Sequence, residues 1–323
     1  MKLFRALLLL LACSGALAQT PLRVKTSPGV QALPLIAAVS QGFFERQGLK
    51  VEVLYTQSSQ ELRDGLAAGE FQVAQFAADN AVHMAAVAGQ DVVIIAGGDD
   101  GMNELFVQPE INSLADLRGQ IVIVDAPDTA YALLLKKILL AQGMKAGADY
   151  KLVSAGGTSL RVRAMRENRD YKASMLNLPF TRQAEAAGLK NLGRAVDFLG
   201  PYQGRGGFVM RKWAAANADT LERYLAGFIE GTRWAVDPAN RVAATALLSE
   251  RLKISPELAP RVWEELADPR KGLTRDARLD PQGFRNLLAL RAEIEGTWGG
   301  KAPPPERYVD LKYYEAALRR IAR

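Results

Sequence analysis

The chain has 323 residues, 49% hydrophobic and 24% charged, which suits a soluble globular protein of one large or two moderate domains. Its 41 basic and 35 acidic residues leave a net charge of +6. The two signs are interspersed and no basic run carries interleaved aromatics, so no nucleic-acid partner is expected.

The stretch MKLFRALLLLLACSGALAQ has a positive start at Lys2 and Arg5, an apolar middle and an Ala16-Leu17-Ala18 cleavage pattern. It reads as a secretory signal peptide over residues 1–18, with the mature chain starting at Gln19 in the periplasm. Cys13 offers a minority alternative, a lipid-anchored N-terminus. It is also the only cysteine, so the remaining chain is expected to hold no disulfide, thiolate catalyst or cysteine metal site.

Past the leader, strand and helix patterns alternate. Residues 22–27 read as a strand and 32–47 as a helix, with Leu35, Ile36, Val39 and Phe43 at helical spacing. Strands follow at 50–56, 71–77 and 91–97, separated by helices that stop at Gly69 and Gly89. A second series has strands at 104–108, 149–155, 171–176 and 207–212. Between them lie a short helix and buried strand within 111–125, and helices at 130–142, 159–167 and up to Gly188. Repeated units of this length predict mainly parallel sheets flanked by helices. From Trp213 onward the pattern is helical, over 220–236, 241–252, 257–267, 281–295 and 311–322, with a Pro/Gly-rich linker at 299–308. No repeat or low-complexity block appears.

In parallel α/β sheets, ligands sit beyond the carboxyl ends of the strands, facing helix N-termini. The residues at those turns are small and polar: Gln31, Ser58, Ser59, Asp79, Asn80, Asp128, Thr129, Thr158 and Asn177. Each also suits a helix N-cap, and Ser58 with Glu61 fits a capping box. Asn103 and Asp125 border the same mouth. Phe76, Tyr131, Phe180 and Tyr202 are placed to stack on a planar or cationic group. Arg161 is the one cation expected there.

Chemistry has little support. The single histidine, His83, has no neighbouring His, Cys or Glu at metal-ligand spacing, and no nucleophile elbow, phosphate loop or dinucleotide fingerprint occurs. No catalytic residue, metal or cofactor is expected. Asp99 and Asp100 read as a turn.

Several stretches resemble the sulfonate/nitrate/taurine-type solute-binding proteins of ABC importers, which are related to the thiamine-pyrimidine-precursor binding proteins. They are Gly42-Phe43-Phe44-Glu45, Gly48-Leu49-Lys50-Val51-Glu52-Val53, Leu66-Ala67-Ala68-Gly69-Glu70, residues 113–124 and residues 164–193. The resemblance implies a type II periplasmic-binding-protein-like α/β fold of two lobes with a helical C-terminal region. Residues 19–103 would begin lobe 1, 104–203 would form lobe 2, and 204–323 would return to complete lobe 1. It further implies a monomer that closes on a small-molecule ligand and docks on a membrane permease. The related pyrimidine synthases use a cysteine-rich motif that this chain lacks, so that activity is not carried over.

The acidic loops, Asp79, Asp99, Asp100, Asp125 and Asp128, argue for a neutral or amine-bearing ligand, heteroaromatics included. An aromatic carboxylate or sulfonate held by Arg161 is the alternative. A ligand sensor, or an enzyme on the same scaffold, is the alternative from another class.

Overall fold

A computed structural model describes residues 19–322. The signal-peptide reading and Cys13 lie outside the described residues.

The first series builds one sheet. β1 (Thr20–Thr26), β2 (Leu49–Tyr55) and β3 (Val73–Ala77) run parallel, and β4 (Val92–Asp99) lies at the far edge. β4 begins as an unbroken apolar run because both its faces are covered. Edge strand β2 alternates instead and leaves one face partly open. Helices α1 (Leu33–Ser40), α2 (Phe43–Arg46), α3 (Ser59–Ala68) and α4 (Asp79–Ala86) connect these strands. The single helix expected over 32–47 is split. Gly42 sits at φ +70°, a left-handed conformation that ends α1 and restarts the chain as α2.

The second series builds a separate sheet from β5 (Glu104–Val107), β6 (Ile121–Val124), β7 (Lys151–Ser154), β8 (Tyr171–Leu176) and β9 (Lys190–Arg194). Its helices are α5 (Ala130–Leu140), α6 (Thr158–Glu167), α7 (Phe180–Ala186) and α8 (Ala195–Leu199). β9 and α8 have no counterpart in the sequence reading. The Lys190–Arg194 segment contains one large apolar residue, Leu192, and therefore carries no alternation to detect.

The chain then re-enters the first sheet as β10 (Arg205–Met210), which inserts antiparallel between β3 and β4. The two sheets have matching orders, β2-β1-β3-β10-β4 and β7-β6-β8-β5-β9. In each, the strand entered directly after a crossing, β10 or β5, is the one that runs antiparallel to its neighbours. The crossings occupy residues 100–103 and 200–204, side by side. Gly204 N donates to Asp99 O at 2.9 Å.

The remaining helices are α9 (Arg211–Ala216), α10 (Ala218–Val236), α11 (Arg241–Leu252), α12 (Ala259–Ala267), α13 (Pro281–Glu295) and α14 (Lys312–Ile321). α10 places Leu221, Tyr224, Leu225, Phe228 and Ile229 on its buried stripe, where Tyr224 stacks on Phe44 at 5.4 Å. The core behind the first sheet unites these with Leu22, Val24, Val93 and Ile95. A smaller core behind the second holds Phe106, Ile123, Val162 and Leu176. Helix α13 touches both halves. Its Phe284, Leu287 and Leu288 share a cluster with Phe76 and Val82 of the first and Leu133 and Val124 of the second. No helix among the described residues is long and apolar enough to cross a membrane.

Candidate functional site

The carboxyl ends of β1, β3, β6 and β8 face one another across a cavity of about 110 Å³ between the two sheets. From the first half, Gln31, Ser59, Phe76 and Asn80 line it. From the second come Asp125, Thr129, Thr158, Arg161, Asn177 and Phe180. Asn103 and Tyr202 line it from the two crossings. The halves meet at the mouth, where Ser159 Oγ donates to Gln57 Oε1 at 3.3 Å.

Three of the residues expected at the site do not line the cavity. Ser58 caps α3, accepting from Glu61 N at 3.2 Å. The expected box is half made, because the Glu61 carboxylate turns to Lys25 and Thr56 instead. Asp79 is buried against Arg291 of α13, with Arg291 Nε to Asp79 Oδ1 at 2.8 Å and Nη2 to Oδ2 at 2.5 Å. Asp128 points outward, its Oδ2 lying 3.7 Å from Arg63 and 3.6 Å from His83, while its carbonyl accepts from Arg291 Nη2 at 2.9 Å. In each case a local donor or a distant cation captures the oxygen that an N-terminal helix position would have offered to a ligand.

The other aspartates read as acidic in sequence are also occupied. Asp99 Oδ1 accepts from Gly101 N at 2.6 Å and Asp100 Oδ1 from Met102 N at 2.8 Å, forming the turn that starts the first crossing. Asp100 further pairs with Arg194. Asp125 alone among these carboxylates lines the cavity. It accepts from Thr129 Oγ1 at 2.5 Å, and burial pushes its carboxyl up, with Arg161 opposing.

Two arginines line the same cavity. Arg161 of α6 is fully buried. Its Nε donates to Ser174 Oγ at 3.0 Å, Nη1 to Gly156 O at 2.7 Å, and Nη2 to Thr158 Oγ1 at 3.1 Å and Met175 O at 2.9 Å. The guanidinium packs 4.7 Å over the Tyr131 ring, whose hydroxyl accepts from Asn177 at 2.9 Å. The second, Arg205, begins β10 and was missed in sequence, where it sits in a glycine-rich loop. Its Nη1 donates to Ser27 Oγ at 2.8 Å, and its Nη2 to Thr26 Oγ1 at 3.0 Å and Gln75 O at 2.7 Å. Every partner of both guanidinium groups is a neutral oxygen, and neither group makes an ion pair within 4 Å among the described residues. The Gly204-Arg205-Gly206-Gly207 pattern was the available signal: glycines flanking a long cation allow close backbone packing around it.

Several cavity-lining polar atoms have no protein partner: both amide atoms of Gln31, Asn103 Oδ1 and the Tyr202 hydroxyl. A buried polar atom left unpaired costs about 1–3 kcal/mol, so such atoms mark where water or a ligand belongs. No cluster of histidine, cysteine and carboxylate suited to a metal occurs among the described residues.

This architecture, two sheets of identical strand order enclosing a polar cavity at their paired crossings, defines a periplasmic-binding-protein-type fold. A family model described as NMT1/THI5 like matches residues 30–240, more than half the chain, and the chain belongs to that family. Among solved structures, it is similar to one from Bordetella bronchiseptica RB50 at a TM-score of 0.78 and 18% identity, covering 95% of this chain and 99% of that one. The periplasmic nitrate-binding protein NrtA of Synechocystis PCC 6803 gives 0.76 and 16%, over 94% and 89%. The periplasmic aliphatic sulphonate binding protein SsuA of Escherichia coli gives 0.72 and 17%, over 92% and 99%. No curated protein sequence matches the chain.

Proposed function

We propose that this protein is an extracytoplasmic solute-binding protein that captures a small organic anion between its two lobes and delivers it to the membrane permease of an ABC importer. One observation carries the choice of an anion. Arg161 from the second lobe and Arg205 from the first line one cavity whose only carboxylate is Asp125. An anion reaching both guanidinium groups binds the closed arrangement better than the open one, and so shifts the population toward closure.

Phe76, Tyr131 and Phe180 supply flat apolar wall, which suits an aromatic carboxylate or sulfonate. Gln31, Asn103 and Tyr202 add hydrogen bonds to its polar substituents. The neutral or amine-bearing ligand loses its main support, because four of the five aspartates that favoured it do not line the cavity. Relatives in fold described as binding nitrate and sulphonate accord with the anion. Action as a monomer belongs to the same reading, since one chain supplies both walls, and export to the periplasm accords with the leader pattern of residues 1–18.

A thermal-shift panel of benzenesulfonate, benzoate, nitrate and benzylamine tests it. An aryl anion at about a thousand times its dissociation constant adds roughly 4 kcal/mol of stability. It is recovered unchanged. Stabilisation by benzylamine alone contradicts the anion, and consumption of the bound compound contradicts the binder.

A further inference from the structure

The Arg205 guanidinium stands between the ligand cavity and a second cavity of about 20 Å³, room for one water molecule. Asp99 borders that second space. It is 4% exposed, and its Oδ2 has no partner. Gln31 borders both spaces with both amide atoms unpaired. Three unpaired buried polar atoms around one small cavity mark a site for a bridging water.

The charges facing Asp99 are few. Every other residue lining the small cavity except Arg205 is uncharged. On its own segment, Asp100 is paired with Arg194. From the loop packed on β4, where Thr274 N donates to Gly98 O, Asp276 is paired with Arg233 at 2.7 Å, and Arg275 and Arg278 line neither cavity. From the return crossing, the neutral Gln203 Nε2 donates to Asp99 O. Arg205, the cross-strand partner of Asp99, is therefore the one cation lining that cavity with it.

We propose that Asp99 sets the anion affinity of the site by acting through Arg205, so that capture of an anionic ligand is coupled to uptake of one proton by Asp99. The proposal rests on the anion reading above. An ionised Asp99 offsets the field of Arg205, and an entering anion meets a weaker attraction. A protonated Asp99 leaves that field whole. Burial pushes the Asp99 carboxyl up to about 7, with Arg205 opposing and Asp100 adding, which sets the change near neutrality. By reciprocity, an anion beside Arg205 raises the carboxyl further and draws a proton from solvent. Asp99 is a positioning residue in this scheme, since it lines no part of the ligand cavity and acts on the anion through the field of Arg205.

Benzenesulfonate is a suitable probe because it stays ionised throughout. Calorimetric titrations from about pH 5.5 to about pH 8.5, in two buffers of different ionisation enthalpy, read affinity and proton uptake together. Wild-type affinity is expected to weaken about tenfold over that range, an ordinary coupling between two sites, with net proton uptake above neutrality. D99N is expected to keep the tighter, acid-side affinity at every pH without proton uptake, and D128N, outside the cavity, to keep the step. A pH-independent wild-type affinity, or a step that survives in D99N, overturns the proposal.

Urea unfolding of ligand-free wild type and D99N reads Asp99 directly. A carboxyl raised in the fold contributes stability at low pH that is lost as pH rises through about 7, so wild type should decline relative to D99N. A flat difference means Asp99 is ionised throughout and overturns the coupling whatever binds. A sloping difference with no binding of benzenesulfonate or benzoate at any pH sinks the anion reading instead, and the coupling with it.

Discussion

Gly204 lies directly against Gly101, so that a Cβ built on Gly204 would stand 1.9 Å from the Gly101 nitrogen and 2.2 Å from its Cα. The two crossings between lobes thus touch backbone to backbone, with no room for a side chain. Gly204→Ala is expected to force them apart. Overpacking of this kind costs about 1–3 kcal/mol, and here rigid backbone blocks relief. Urea unfolding should show the loss, with benzenesulfonate affinity falling alongside it because the cavity walls meet at this point.

The buried pair of Asp79 and Arg291 predicts a stability effect with little chemistry. Asp79→Ala leaves the Arg291 guanidinium buried without its carboxylate, a loss of about 3–5 kcal/mol. Chemical denaturation checks it. Arg291 also holds the Asp128 carbonyl, so the pair ties both lobes to α13.

Asp128 provides the contrast. Its carboxylate is partly exposed and lies 3.6–3.7 Å from His83 and Arg63, outside the cavity. A pair in that setting contributes about 0–1 kcal/mol. Asp128→Ala should therefore change benzenesulfonate affinity by no more than about fivefold, measured by calorimetry.

His83 predicts a pH effect opposite in sign to that of Asp99. Burial lowers its pKa below the usual 6.5, with Arg63 and Arg291 adding and Asp128 and Asp79 opposing. The unfolded chain then binds the proton more readily, so stability falls as pH drops below about 6.5. His83→Gln should flatten that limb of a stability–pH curve while leaving the loss of stability on approach to pH 7 intact.

The strands and helices of both series were legible because period-2 and period-3.6 patterns reflect burial on a sheet face or a helix stripe. β9 and the break at Gly42 were not. The first has too few apolar residues to show a period, and the second is a one-residue conformational event inside a continuous helical pattern. The line of turn residues around the cavity was legible as polar strand-to-helix junctions. What each does was not, because the deciding partner lies far away in sequence. Asp79 is answered by Arg291, 212 residues on, and Arg205 reaches Thr26 from 179 residues away. Local spacing shows which oxygens are available at a helix start and leaves open which cation arrives to take them.

The central claim is that Arg205 and Arg161 together hold an anion. Its most direct measurement is the dissociation constant of benzenesulfonate for wild type and Arg205→Gln, with benzylamine titrated in parallel. Removing one charged hydrogen-bond donor from a buried site costs about 1.5–3 kcal/mol, so the account predicts roughly 10- to 150-fold weaker benzenesulfonate binding in the variant and none of benzylamine in either protein. Equal benzenesulfonate affinity in both proteins, or tighter binding of benzylamine by wild type, would contradict it.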